Sequence, residues 1–99
     1  MINITYSQEK RQLECNGHAG YAAAGSDIVC AAVSAVMRMV CYSALSESDK
    51  HQVAVGDNKI SVVIAPDQGG RAEAVMDSAV ANLAEIAREY PDYTCMFLK

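Results

Sequence analysis

The sequence predicts an α+β domain in which one mostly antiparallel sheet is covered by two helices, in the order β-β-α-β-β-α-β. Five short segments have the composition and alternation of strands, and a helical pattern follows the second and the fourth of them. Pairs of strands interrupted by single helices are typical of one sheet with helices packed on it. At 99 residues, we expect a single domain over 1–99.

The first two strands follow from the alternation of apolar and polar residues. Segments 2–7 and 12–16 each place their apolar side chains on one side, and a polar turn lies between them. His18 keeps the parity of the polar side, so we expect it off the core face. Cys15 has core parity, so we expect it to point away from His18.

The remaining elements come from the same rules. We predict strands over 53–55, 60–64 and 93–98, a hairpin turn at 56–58, and a helix over about 71–90 that Pro91 ends. This second helix has a polar stripe, so we expect one of its sides to face water. The residues of the stripe are Arg71, Glu73, Asp77, Glu85 and Arg88.

The first helix, from Ser26 or Asp27 as N-cap to about residue 45, is apolar nearly all round. Only Ser34 and Arg38 interrupt its apolar residues between 28 and 42. A helix without a polar, solvent-facing side is buried on more than one side. We expect a second subunit to provide part of the cover, which makes a homodimer; the alternative is that the sheet and the second helix suffice.

Charge and hydropathy argue against three classes of protein: nucleic-acid-binding, secreted and membrane-spanning. The net charge is −4 and no basic cluster is visible, so we expect no direct binding of nucleic acid. The polar, alternating N-terminal segment does not resemble a signal peptide, and we expect no stretch to reach the length of a membrane span. A cytoplasmic protein is the expectation.

The cysteines suggest free thiols. Cys15, Cys30, Cys41 and Cys95 form no C-x-x-C pair, and nothing indicates an oxidising compartment. We expect Cys41 and Cys95 in the core, and His51 in a solvated polar turn. A zinc site on Cys15, His18 and Cys30 lacks an evident fourth ligand, so we expect no metal and no other cofactor.

Cys30 is the candidate nucleophile, because it lies in the first turn of a helix. Unpaired N–H groups and the helix dipole favour a thiolate there. Asp27 and Ser34, three residues before and four after, share its face of the helix. The Asp27 charge opposes a thiolate unless Asp27 caps the helix or orients an imidazole, and the sequence leaves both roles open.

A cysteine protease needs a thiolate, an imidazole and donors for the oxyanion. Cys30, His18 and the backbone N–H groups around Cys30 can supply them. The plain alternative is that Cys30 is a small buried hydrophobic residue.

Segment 17–36, GHAGYAAAGSDIVCAAVSAV, resembles the signature of the ribosomal-processing cysteine protease family Prp. That family has Gly-His-Ala, a short loop with glycine, and then Gly-x-Asp-(Ile/Val)-Val-Cys-Ala-Ala-Val-Ser. The resemblance covers essentially the whole chain. It implies a homodimeric cysteine endopeptidase with Cys30 as nucleophile, His18 as general base, and Asp27 and Ser34 in support. It also implies a substrate, the precursor of large-subunit ribosomal protein L-twenty-seven, which loses an N-terminal extension.

The loop between His18 and the helix is expected to be mobile and to gate the site. Its small residues leave room for large substrate side chains, and Gly20, Tyr21 and Gly25 are the expected substrate-loop residues. Disorder without a gating role is the alternative for the loop. For the whole protein, the alternative function is a non-catalytic ribosome-assembly binding protein with an inert Cys30.

Overall fold

One five-stranded sheet carries two helices. The computed structural model describes residues 1–18, 20, 27–66 and 70–99. The elements are β1 Ile2–Ser7, β2 Gln12–Gly17, α1 Ile28–Glu47, β3 Gln52–Val55, β4 Lys59–Val63, α2 Arg71–Glu89 and β5 Thr94–Leu98. The predicted order is confirmed, and the ends of the elements differ from the expected ones by at most two residues.

The sheet is mixed, with the strand order β3-β4-β2-β1-β5. Three neighbouring pairs are antiparallel, and β1 with β5 is parallel. The prediction of a mostly antiparallel sheet is therefore confirmed, with one parallel pair at the edge. This pair arises because α2 carries the chain from β4 past β2 and β1 to the far edge of the sheet.

The core lies between the sheet and the two helices. Ile4, Leu13 and Val62 are fully buried on the helix-covered face, and so are Met37 of α1 and Leu83 of α2. Burial of such side chains is the main stabilising term of a domain of this size. The alternation read from the sequence thus places the core on the expected side of β1 and β2.

Cys95 was expected in the core and is not there. It is partly exposed, and its register partner in β1 is Asn3. Asn3 alternates with the buried Ile2 and Ile4, so Cys95 lies on the sheet face that carries no helix. The thiol of Cys41 is buried, as expected, and burial raises its pKa.

Helix α1 has one covered and one uncovered side within the chain. Its buried residues are Val29, Val33, Met37, Val40, Cys41 and Ala44. Four large apolar residues are more than half exposed: Ile28 at 55%, Met39 at 64%, Tyr42 at 69% and Leu45 at 59%. The sheet and α2 therefore do not cover this helix completely, which contradicts the simpler of the two expectations.

The length and apolarity of α1 contradict the expectation that no stretch reaches the length of a membrane span. Its mean hydropathy reaches 1.9 over a window long enough to cross a membrane. The core helix of a soluble domain meets the same criterion, and Val33, Met37 and Val40 of α1 are buried in this domain. Length and composition are therefore weak evidence for a membrane span here.

His51 was expected in solvent, and it is 4% exposed. Its Nδ1 accepts a hydrogen bond from the backbone N–H of Ala65 at 3.0 Å, so the ring proton lies on Nε2, which is 3.0 Å from Oε1 of Glu47. Glu47, four residues earlier at the end of α1, and Ala65, just after β4, satisfy both ring nitrogens. This allows a histidine in a polar turn to be buried.

Candidate active site

An open cleft of about 180 Å³ lies between the end of β2, the first half of α1 and the β3–β4 hairpin. Segment 55–60 of the hairpin and Ile2 line it, together with two groups of residues: Cys15, Gly17 and His18 from β2 and its end, and Cys30, Val33, Ser34 and Arg38 from α1. The cleft thus brings together His18, Cys30 and Ser34, three of the residues singled out from the sequence.

The backbone of Gly17 positions the exposed His18. Gly17 has φ +94°, and its N–H donates to the carbonyl of Asn58 in the hairpin at 2.9 Å. A Cβ at this position would stand 2.3 Å from the carbonyl oxygen of Met1. Only glycine fits this conformation and this close approach without strain. His18 therefore leaves the sheet from a point anchored to the β3–β4 hairpin, which also lines the cleft.

Asp27 is the N-cap of α1. Its Oδ1 accepts from the backbone N–H of Val29 at 3.0 Å and from that of Cys30 at 2.9 Å. Of the two roles left open by the sequence, capping is the one seen here. A carboxylate in this position satisfies donors that the helix cannot satisfy itself.

The cap changes the expectation for the oxyanion donors. Backbone N–H groups around Cys30 were expected to supply them. The Cys30 N–H is engaged by Asp27, and so is that of Val29. While Asp27 caps the helix, these two groups are not available to a substrate oxygen, because each N–H offers one proton.

Ser34 and Arg38 continue the face of α1 on which Cys30 lies. Cys30 and Ser34 are both partly exposed and line the cleft, with one helical turn between them. Nε of the exposed Arg38 donates to Oγ of Ser34 at 3.2 Å. Arg38 was not expected at the site; the signal was a charge eight residues after the cysteine on an otherwise apolar helix.

Cys15 is buried, as its core parity predicts, and it also lines the same cleft as His18 and Cys30. The cleft extends into the layer between the sheet and α1, where an inward side chain of β2 forms its floor. Burial raises the pKa of Cys15 to about 11. This thiol is therefore protonated near neutral pH and is a poor nucleophile.

The expected substrate loop is described only in part. Gly20 is exposed, with φ +72°. Tyr21 and Gly25 lie outside the described residues, as does most of segment 19–25. The mobility and the gating role of the loop stay predictions.

A match to a protein-family model identifies the family to which this chain belongs. The model of the cysteine protease Prp family matches residues 1–95. The chain belongs to the Prp family of cysteine proteases. The Prp signature recognised in segment 17–36 is therefore confirmed at the level of the family, and the protein is a cysteine protease. No curated protein matches the sequence significantly.

Solved structures with the same fold include a protease that is itself called Prp. The ribosomal processing protease Prp of Staphylococcus aureus with a covalently linked product peptide is 20% identical, with a TM-score of 0.86 and full coverage of both chains. The same protease with a substrate peptide is 21% identical, with a TM-score of 0.81 and full coverage of both. Protein SMU.848 of Streptococcus mutans is 18% identical with a TM-score of 0.70, covering 98% of this chain and 90% of its own.

Proposed function

We propose that this Prp-family protease is a ribosomal processing endopeptidase that removes the N-terminal extension of the precursor of ribosomal protein L-twenty-seven. The observation that carries the proposal is the cleft that His18, Cys30 and Ser34 line together. The Prp protease of Staphylococcus aureus, which shares the fold, is described as an essential ribosomal processing protease with a substrate peptide.

In the proposed reaction Cys30 attacks the scissile peptide bond. His18 takes the thiol proton, and the sulfur forms a bond to the carbonyl carbon of the substrate. The C–N bond then breaks, and His18 gives its proton to the leaving amine, which is the new N-terminus of the mature ribosomal protein. The N-terminal extension stays on Cys30 as a thioester.

Water completes the cycle. His18 accepts a proton from the water molecule that attacks the thioester carbonyl, and the sulfur leaves as thiolate. The extension is released with a free carboxylate. One imidazole nitrogen can accept a proton and then donate it, so the same His18 side chain serves both steps.

Asp27 and Ser34 support the nucleophile in different ways. Asp27 holds the first turn of α1 and so the position of Cys30, through its bonds to Val29 and Cys30. Because those N–H groups are engaged, the hydroxyl of Ser34 is the side-chain donor that α1 offers one turn from the sulfur. We assign it the stabilisation of negative charge on the sulfur.

The lining of the cleft suits large apolar side chains of a substrate. Ile2, Val33, Val55 and Ile60 contribute apolar surface, and Val55 is 66% exposed at the rim. An exposed apolar residue beside a catalytic group is a natural contact for a peptide. In the proposal, the loop with Gly20, Tyr21 and Gly25 closes over the bound segment.

The active form is proposed to be a cytoplasmic homodimer that binds neither membrane nor nucleic acid directly. The exposed apolar side chains Ile28, Met39, Tyr42 and Leu45 all belong to α1. A groove of about 330 Å³ between α1 and α2 adjoins Met39 and is lined mainly by apolar or small residues. An apolar surface of this kind is typical of contacts between subunits.

Cleavage of the purified precursor tests the function. We expect the wild-type protein to release the extension, as read by N-terminal sequencing of the product. Cys30→Ala should not cleave, and its melting temperature should stay close to that of the wild type, because the change is small and Cys30 is only partly buried. Cys95→Ala, on the helix-free face of the sheet, is the matched control and should cleave normally.

Two outcomes would contradict the proposal. Cleavage by Cys30→Ala at the wild-type rate would exclude Cys30 as nucleophile. Binding of the uncut precursor by the wild-type protein, without any product, would favour the non-catalytic binding protein over this protease function.

A further inference from the structure

We propose that Arg38 is a positioning residue for the nucleophile, acting on Cys30 through the hydroxyl of Ser34. The inference rests on the proposed function, because it takes Cys30 as the attacking group. Cys30, Ser34 and Arg38 follow each other at spacings of four residues on α1, and all three line the cleft. Side chains at this spacing are neighbours on one face of a helix.

The first step concerns which residue donates in the hydrogen bond between Arg38 and Ser34. Nε of Arg38 lies 3.2 Å from Oγ of Ser34. A guanidinium has donors only, so Ser34 must accept in this contact. The contact therefore uses an oxygen lone pair and leaves the hydroxyl hydrogen of Ser34 to be donated elsewhere.

The second step concerns where that hydrogen goes. A serine inside a helix commonly donates to the carbonyl four residues earlier, which here belongs to Cys30. The other acceptor of the same residue is its sulfur. A negatively charged thiolate is a stronger acceptor than a carbonyl that already takes part in the helix ladder. A cation on the serine oxygen also polarises the O–H bond and strengthens its donation.

The groups around Cys30 explain why the hydroxyl of Ser34 matters for the sulfur. The backbone N–H of Cys30 donates to Asp27 and is not available to a second acceptor. The floor of the cleft is Cys15, whose raised pKa keeps it neutral near pH 7. Arg38 is the only charged residue of α1 that lines the cleft. From the other elements, His18 after β2 and Asp57 and Lys59 of the hairpin line it. In the proposal, Arg38 acts on the sulfur through Ser34.

The readout is the reaction of the Cys30 thiol with iodoacetamide between pH 5 and 9, located by mass spectrometry of the alkylated peptide. The reagent is neutral, so Arg38 does not attract it by charge. The measurement needs no peptide substrate, and it follows the sulfur itself. Arg38→Met removes the donor and the charge while it keeps an unbranched side chain on an exposed position.

We expect Arg38→Met to slow the alkylation of Cys30 at pH 7 by about fivefold, which corresponds to one ordinary hydrogen bond, and to move the pH profile to higher pH. Ser34→Ala should have an effect of similar size. In the Ser34→Ala background, Arg38→Met should have almost no further effect, because its route to the sulfur is gone. Arg38→Lys should restore only part of the rate, since an ammonium is a less directional donor.

Two results would overturn the inference. An unchanged rate and pH profile in Arg38→Met would show that Arg38 does not act on Cys30. An equal effect of Arg38→Met with and without Ser34 would show that Arg38 acts by its charge and not through the hydroxyl. Arg88→Met is the matched control, because it removes an exposed arginine at the end of α2, and it should leave the rate unchanged.

The inference and the proposed function fail separately. If Cys30→Ala still cleaves the precursor, Cys30 is not the nucleophile, and the assignment of Arg38 falls with it. If Cys30→Ala is inactive while Arg38→Met reacts like the wild type, the protease mechanism stands and only the role of Arg38 is wrong.

Discussion

Gly17 shows how one backbone position controls the candidate site. It ends β2, precedes His18, and is hydrogen-bonded to the hairpin that also lines the cleft. Its φ of +94° and the approach of the Met1 carbonyl leave no room for a Cβ. The imidazole is therefore placed by a conformation that only glycine adopts easily.

Gly17→Ala is expected to lower both cleavage and stability. The added Cβ must displace the Met1 carbonyl or rotate the backbone, and a strained conformation of this kind costs about 1–3 kcal/mol. Because the shift occurs next to His18, we expect the cleavage rate to fall further than the loss of folded protein explains. Thermal unfolding and the initial rate of precursor cleavage provide the two measurements.

Gly56→Ala is the control for that variant in the same cleft. The Cβ at Gly56 would meet the Lys59 carbonyl at 3.9 Å, an ordinary contact, and the backbone there needs no positive φ. It should therefore unfold at nearly the wild-type temperature. Equal behaviour of the two alanine variants would mean that Gly17 has no special role.

Among the elements, α1 and α2 are joined by a carboxylate at the end of α1. Glu47 accepts from the backbone N–H of Arg71 at 3.0 Å and from that of Ala72 at 3.2 Å. The N-cap of α2 is Gly70, which has no side chain to cap with. Glu47 thus takes the place of a local cap and also pairs with the buried His51.

This arrangement predicts a stability that depends on pH. The hydrogen bond to His51 lowers the pKa of Glu47 from its usual value of 4.5, and the N–H groups of Ala72 and Arg71 lower it further. A group with a lowered pKa in the folded state stabilises the fold above its unfolded pKa. The contribution should therefore be full at pH 7, begin to fall below about pH 4.5, and disappear below the lowered pKa of the folded state.

Glu47→Gln should therefore melt at a lower temperature than the wild type at pH 7, and the difference should shrink as the pH falls below about 4.5. Thermal unfolding monitored by circular dichroism at several pH values measures it. Glu85→Gln, on the exposed side of α2, is the control. A difference that stays constant down to pH 3 would show that the charge of Glu47 contributes nothing.

At the scale of the whole molecule, the uncovered side of α1 is the main feature without an explanation inside one chain. Met39, Tyr42 and Leu45 are each more than half exposed. Exposed apolar residues that are grouped on one helix favour association. The proposed homodimer buries them in a contact between two copies of the same surface.

Tyr42→Glu is expected to break the dimer, because a buried carboxylate without a partner destabilises an interface. Light scattering at micromolar concentration should give twice the mass of one chain for the wild type and a single chain for the variant. Ala81→Glu, at an exposed position of α2, adds the same charge and should remain dimeric. A wild-type protein that scatters as a single chain would exclude this dimer.

The sequence by itself determined the order of the elements, their approximate ends and the family. Alternation in β1 and β2 and the helical patterns are local properties, because side-chain direction follows from the period of each element. The signature around Cys30 is equally local, and so the candidate nucleophile, its base and the N-cap at Asp27 or its neighbour could be named without a structure.

Only the tertiary structure decided which partners these residues meet. His51 is buried because Glu47 and Ala65, from two other segments, satisfy its ring nitrogens. Cys15 forms the floor of the cleft because α1 and the hairpin leave a gap above β2. Arg38 joins the site through Ser34. Such contacts depend on how elements pack against each other, and the alternation of a single strand or helix has no information about its distant neighbours.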